Sequence, residues 1–505
     1  MPATSSASRP LAIALGVAAA LVLARSAVFL LWEQAGFDSD QAIFGLMAKH
    51  IAEGRAFPMF IYGDQYMLAM QAWLAAPLFA IFGPSVALLK APVVLVNIAT
   101  GVLLVWVLHR DGGLAPGTAL LASLFFVIAP SSLAGSLVET GGGNPEPFLY
   151  VLLLWVLRNR PLAFGCVFGI GFLHREFTLY GLTAIAGLSI LDDRRVTLQR
   201  LRAVALVALG YAVVWQLVRT GYVFSTPFGP GAPITAPLGA GENLEGLAGR
   251  ACWSPAAIGP GLMSLIGQYY GIPFGADDHR LSDFGVRSFL RTSVPGTHGF
   301  WPVLGAIFAA AMLRVIWLSF RGRAPIWHGR AAVGAFLLLV GLQAGVAYTI
   351  ARCGQVEITT FRYALLMLYT GVGVVALFFI YEPRREFRWA MASVMVLWAL
   401  FSASGHLRLV NEYVYHEPAN PRRELATYLV TNGIRYARSD YWVAYATTFL
   451  SGERVVVAST DLVRIRRYQS EVEAHSQDAV TVQYKACEKT GGAEAVPGMY
   501  WVCPD

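Results

Sequence analysis

Gly36 to Met70 reads GFDSDQAIFGLMAKHIAEGRAFPMFIYGDQYMLAM, a polar, acidic and aromatic stretch lodged between segments that are otherwise apolar. It follows an apolar run ending at Trp32, so Asp38 and Asp40, flanking a single serine, are placed where the chain leaves a bilayer. Carboxylates at that depth need a partner or a task.

Outward from this stretch the chain is apolar. Of 505 residues 56% are hydrophobic and 14% charged, against about a quarter charged in soluble domains. That composition gives a polytopic membrane protein and excludes a soluble enzyme. The 38 basic and 31 acidic side chains leave +7, which bears on the side of the membrane that carries the excess rather than on nucleic acid.

A spanning helix needs about 20 mostly apolar residues. The candidate spans are 11–32, 86–108, 114–130, 146–158, 161–174, 177–191, 203–220, 300–318, 331–351, 362–381 and 389–405, about eleven, the first read as an uncleaved anchor. With the N-terminus in the cytoplasm, five basic loops fall on the cytoplasmic side: His109-Arg110, Arg158 with Arg160, DDRRVTLQRLR from Asp192, Arg321 with Arg323 and Arg330, and RREFR from Arg384. The outer side receives the Asp38 loop (33–85), the Gly-rich loop around Glu139, the turn at His174, the 221–299 segment, the link before Arg362 and everything after Gly405. The 221–299 segment is rich in Gly and Pro and carries Arg280, Arg287 and Arg291; a loop of this length orders over a ligand as a lid or serves as a flexible connector.

From His406 the composition turns soluble, and helical periodicity alternates with β-branched runs such as Arg454 to Ala458. The expectation is a transmembrane module over 1–405 and a small extracytoplasmic α/β domain over 406–505. Four of the five cysteines fall on the outer side, and of their three pairings Cys487 with Cys503 is favoured.

Asp-x-Asp beside a membrane binds a divalent cation through hard oxygen ligands, or gives one general base and one acceptor-holding group. The structural alternative is that Asp40 caps a helix over Gln41 to Glu53 while Asp38 is solvated. His174, a lone histidine near a helix end, reads first as a structural hydrogen-bonder. Tyr62, Tyr66 and Trp73 stack on a sugar or lie in the interfacial aromatic belt.

The run FDSDQAIFGLMAKHIAEGRAFP, followed by YGDQYMLAMQAWLAAPLFAIFGPSVALLKAP, resembles the first outer loop of membrane glycosyltransferases of the GT-C superfamily, within it the protein-mannosyltransferase-like and aminoarabinose-transferase-like branch. The resemblance implies an all-α polytopic membrane protein with a small C-terminal α/β domain, in a bacterial-type inner membrane. It implies transfer of a sugar from a polyprenyl-phosphate donor to a glycan, lipid or protein acceptor on the extracytoplasmic face, with inversion. In it Asp40 matches the family's catalytic aspartate, and Asp38 is its companion, with Mg²⁺ or Mn²⁺ as the cation the pair would hold. Glu139 and Glu146 sit where related enzymes place a second acid. Arg175 and Arg362, basic residues at membrane depth, are the candidates for the donor phosphate, with Lys49 as helper. Arg175 also reads as a partner of Glu176, Arg362 as an interfacial anchor beside Tyr363, and Glu146 as the first-turn acid of a helix.

The alternative from another class is a polytopic lipid or glycan transporter or flippase. Such proteins more often show inverted repeats and short loops on both faces; this sequence shows neither. A third reading, a receptor or assembly factor, leaves the acidic pair unexplained.

Overall fold

A computed structural model describes residues 8–63, 67–141, 143–226, 228, 252, 254–271, 301–322, 324–351, 353, 361–487 and 491–504. Tyr66, most of the 221–299 segment and Arg280, Arg287 and Arg291 lie outside these residues.

The chain enters through α1 (Ser8–Leu31). Then α2 (Ser39–Ala52) and α3 (Met70–Phe82) lie between it and the long α4 (Val86–Arg110). There follow α5 (Pro116–Val127), α6 (Ser131–Val138), α7 (Glu146–Leu157), α8 (Pro161–His174), α9 (Leu179–Asp192) and α10 (Leu198–Val223). The second half has α11 (Pro255–Gly271), α12 (Trp301–Gly322), α13 (Ala331–Val346), α14 (Leu368–Tyr381) and α15 (Arg385–Tyr415).

Each of the eleven expected spans falls on a helix, yet among the described residues only six helices are long and apolar enough to cross a membrane, or seven if α5 and α6, bent by 79°, count as one. The reason is length. Helices of 12 to 14 residues such as α7, α8 and α14 rise only about 20 Å, against about 30 Å of hydrocarbon. They are held inside a bundle: one continuous core runs from Ala18 and Val22 through Phe125, Phe148, Phe336 and Val375 to Trp398. The chain is a multi-pass membrane protein.

α15 continues some ten residues beyond the apolar stretch that ends at 405 and carries the chain into the soluble unit. That unit holds α16 (Pro421–Thr431), β1 (Tyr436–Ser439), α17 (Tyr441–Leu450), β2 (Val456–Ser459), α18 (Arg466–Ala474), β3 (Val480–Gln483), β4 (Ala493–Val496) and β5 (Tyr500–Pro504). The sheet order is β2-β1-β3-β5-β4, parallel in its first three strands and antiparallel at β5 and β4. Cys487 is bonded to Cys503, and Cys252 to Cys353 across 101 residues. Cys166 is free, in α8.

The soluble unit is fused to the segment between α1 and α4 through α2. Ala42, Ile43, Phe44, Leu46, Met47 and Ala48 of that helix are fully buried, in a cluster they share with Phe79 of α3 and with Tyr441, Tyr445, Phe449 and Tyr468 of the soluble unit. Gly45 makes the contact possible: a Cβ there would stand 2.6 Å from the Phe449 ring, so only glycine lets α17 lie this close to α2. Phe449 in turn meets Phe37 at 5.6 Å and Phe79 at 6.2 Å between ring centroids.

Candidate active site at the start of helix α2

Asp38, not Asp40, caps α2. Its extended backbone (φ −140°, ψ −176°) ends the approach from α1, and its carboxylate accepts from the Gln41 amide at 3.1 Å. Asp40 is the second residue of the helix, where the cap has no use for it, so its carboxylate is free to face outward from the turn. This reverses the assignment of Asp40 as cap and Asp38 as solvated group.

Asp40 meets two partners from distant parts of the chain. The Tyr441 hydroxyl donates to Oδ1 at 2.5 Å, and the Arg362 guanidinium stands 3.4 Å from Oδ2. Arg362 also faces Glu139 at 3.6 Å and donates to the Tyr363 hydroxyl at 3.0 Å. Glu139 follows directly on α6 and is held by the Asn144 amide at 3.0 Å, which also binds the Ser136 carbonyl at 3.1 Å. Gln41 ties the two acidic segments together: its amide nitrogen donates to the Gly36 carbonyl at 2.5 Å and its amide oxygen accepts from the Thr140 backbone at 3.3 Å.

Three carboxylates therefore gather here, and two of them, Asp40 and Glu139, are in contact with the one guanidinium of Arg362. Burial and the charge of Asp38 push the Glu139 carboxyl up to about 8, against the pull of Arg362. Burial and Asp40 likewise push Asp38 upward, beyond what the Gln41 amide recovers. Burial works against the charge on Arg362, but Glu139, Tyr363 and Asp40 hold its guanidinium above the ordinary range. At neutral pH the Glu139 carboxyl keeps a proton for much of the time.

The other expected residues sit elsewhere. Arg175 ends α8 and packs its stem on Gly143, whose left-handed backbone (φ +94°) carries no Cβ because one would come within 2.9 Å of the Arg175 side chain. Its guanidinium lies 5.3 Å from the Phe177 ring centre. Phe177, Tyr180, Asn144, Tyr363, Leu366 and Arg362 line one narrow recess, and Arg175 reaches it only through its contact with the Phe177 ring. Glu146 is buried at the first turn of α7 and bound by the Gln71 amide, away from Arg362. His174 is buried against the Tyr150 hydroxyl at 3.0 Å. Trp73 stacks on Phe57 and donates to the Pro58 carbonyl at 2.8 Å. Lys49 stands nine residues along α2 from Asp40, about 13 Å of helix rise, and pairs with Glu453 and, at 2.9 Å, Glu53.

The sequence reading missed three contributors, two of which carried little or no local signal. Tyr441 lies 401 residues from Asp40 and reads as an ordinary soluble-domain aromatic. Asn144 is hidden in the Gly-rich turn. Lys90 was visible as a cation inside the apolar run VALLKAPVV; it is fully buried, donates to the Phe29 carbonyl at 3.0 Å, and its charge reaches Asp38 and Glu139.

Among the described residues no group of three or more His, Cys, Asp or Glu side chains is placed to hold one metal ion. Asp38 spends an oxygen on its cap, and Asp40 and Glu139 turn toward Arg362.

No family model and no curated protein matches the sequence. The likeness is in the fold. The crystal structure of ArnT from Cupriavidus metallidurans bound to undecaprenyl phosphate is similar over 92% of this chain and 93% of that one, with a TM-score of 0.54 at 11% identity. The same protein in the apo state matches 88% of this chain and 87% of its own at a TM-score of 0.50 and 10% identity. The Archaeoglobus fulgidus oligosaccharyltransferase in its apo form matches over 94% of this chain and 69% of its own, with a TM-score of 0.51 at 13% identity. With short helices packed inside a long-helix bundle and a soluble unit seated on the segment between α1 and α4, the chain shares the fold of these two proteins.

Proposed function

We propose that this protein transfers a sugar from a polyprenyl-phosphate donor to a hydroxyl or amine of an acceptor on the extracytoplasmic face of a bacterial-type inner membrane, with Asp40 as general base. The observation that supports this reading is the placement of Asp40: released from capping, partly exposed, and turned toward Arg362, which lines a narrow recess. The N-terminus and the basic loops lie in the cytoplasm in this reading, and the soluble unit outside.

The acceptor oxygen or nitrogen attacks the anomeric carbon while its proton passes to an Asp40 oxygen. The bond from that carbon to the phosphate oxygen breaks with inversion, and the departing lipid phosphate keeps the electron pair. Arg362, which lines the recess, supplies the positive charge that the phosphate needs as it leaves, through charge-assisted hydrogen bonds, with Arg175 as the second candidate. Glu139, which favours its protonated form, is suited to orient an acceptor by donating a hydrogen bond rather than by competing for its proton. No step requires a metal ion.

The test is transfer by the full chain in nanodiscs, with undecaprenyl-phosphate-linked glucose, mannose or arabinose as donor and the membrane glycolipid extract as acceptor. Asp40→Asn keeps the shape and leaves the Asp38 cap untouched, so it should fold normally and transfer roughly 10²–10⁴-fold more slowly. Wild-type transfer by Asp40→Asn would remove it from the mechanism.

A further inference from the structure

We propose that Tyr441 is a positioning residue for Asp40, so that the soluble unit supplies part of the active site rather than a cover for it. This rests on the reading of Asp40 as the base.

The local structure fixes the tyrosine before it touches the acid. Asp440 caps α17 by accepting from the Trp442 amide at 2.8 Å, and the Tyr441 amide donates to Asp461 Oδ1 at 2.8 Å. The ring is 4% exposed and wedged between Trp442 and Tyr445, with centroids 5.1 and 5.5 Å away. Only the hydroxyl reaches across to α2. A carboxylate can only accept, so the phenol donates. Burial and the neighbouring Asp40 raise the phenol well above its ordinary range, and it remains a donor at any pH the protein meets.

The consequence is a division of labour within one carboxylate. Oδ1 is held by Tyr441 at 2.5 Å, a length expected for a hydrogen bond to a charged acceptor. Oδ2, 3.4 Å from Arg362 and on the Glu139 side, is left to take the acceptor's proton, and the fixed oxygen sets the direction in which it points. The hydroxyl is not needed to dock the soluble unit, because Phe449 with Phe37 and Phe79, and Glu453 with Lys49, His50 and Arg55, already do so.

Tyr441→Phe removes the one oxygen and keeps the ring. In the nanodisc assay, using whichever of the three undecaprenyl-phosphate-linked sugars the wild type turns over, it should lower kcat roughly tenfold to a hundredfold, the worth of one hydrogen bond to a charged group. KM for donor and acceptor and the unfolding temperature should stay at wild-type values. Because the hydroxyl acts only through Asp40, the double variant Asp40→Asn/Tyr441→Phe should be no slower than Asp40→Asn alone. A merely structural tyrosine would instead give additive losses or a raised KM. Wild-type kcat in Tyr441→Phe beside a crippled Asp40→Asn would overturn the positioning role and leave the base in place. Wild-type transfer by Asp40→Asn, or a wild type that turns over none of the three donors, would overturn both.

Discussion

The two ends of helix α2 solve opposite charge problems. At its start three carboxylates, Asp38, Asp40 and Glu139, crowd together, with one guanidinium, that of Arg362, in contact with Asp40 and Glu139 alone. At its end the single carboxylate of Glu453 accepts from the Tyr468 hydroxyl at 2.7 Å, from His50 Nε2 at 3.0 Å, and from Lys49 and Arg55. The His50 ring, fully buried and stacked on Phe228, takes the Tyr62 hydroxyl on Nδ1 at 3.0 Å, so Nε2 carries the proton it gives to Glu453. Burial outweighs Glu453 there and lowers the imidazole below its ordinary range, keeping it neutral. Burial opposes the charge on Glu453, but His50, Arg55 and Lys49 prevail and hold it well below the usual carboxylate range, whereas Glu139 is pushed up to about 8. A saturated acid is a fastener; a crowd of acids sharing one cation is a place with work left to do.

The harshest way to break this contrast is Arg362→Gln, which leaves the crowded end with no cation in contact. Transfer should fall roughly 10²–10³-fold, as when one charge-stabilising donor is lost from a transition state, and undecaprenyl phosphate should bind more weakly in a thermal-shift titration. Unchanged binding and turnover would place the phosphate elsewhere.

Glu453→Ala attacks the other end. It strands Lys49, His50 and Arg55 around a vacated, one-tenth exposed position and should cost about 3–5 kcal/mol, read as a lowered unfolding temperature. Glu453 also sits in left-handed backbone (φ 65°), a conformation the ion pairs help to hold. A variant as stable as the wild type would mean that the apolar cluster alone docks the soluble unit.

The opposite shifts predict opposite pH dependences. Glu453 has a depressed folded-state pKa, so its contribution is present above the unfolded value of 4.5 and fades as pH falls below it. Glu139 has a raised one, so its contribution is present below 4.5 and is lost as pH climbs through about 8. Unfolding temperatures across this range should show Glu453→Gln flattening the acid side and Glu139→Gln the alkaline side. The same side responding in both would contradict the contrast.

The smallest effect belongs to the middle of the helix. Gly45→Ala gains about 1 kcal/mol of helix propensity but drives a methyl into the Phe449 ring, which costs about 1–3 kcal/mol. The net loss should be about 1 kcal/mol, a slight fall in unfolding temperature with kcat lowered only if the Tyr441 contact shifts with α17.

How much of this the sequence discloses follows from the range of each interaction. Membrane class, the helix after Asp40 and the positions of the apolar helices rest on composition and periodicity within a window of some twenty residues, and they are readable. The cap at Asp38 rather than Asp40 turns on a one-residue shift of the helix start, which the SDQ context does not fix. Short helices such as α7 look like spans because hydropathy measures polarity, not whether 12 residues reach across. The two arginines at membrane depth stood out because a lone cation in apolar sequence is expensive; Lys90 and Arg25 fit the same description but went unremarked, and Arg25 binds Asn97 at 2.7 Å deep in the bundle. Depth alone did not say which cation faces the acids. Lys49, by contrast, lies in the right loop on the wrong end of its helix. Tyr441 was beyond reach, since nothing near it in the chain refers to Asp40.

That separation has a meaning for biosynthesis. The face of α2 formed by Ile43, Phe44 and Met47 is made and delivered to the membrane early, yet its cover arrives only after Phe449 has left the ribosome some four hundred residues later. Until then the nascent chain presents this apolar face without the partner it has in the folded protein, a surface that requires shielding while the rest of the bundle is being made.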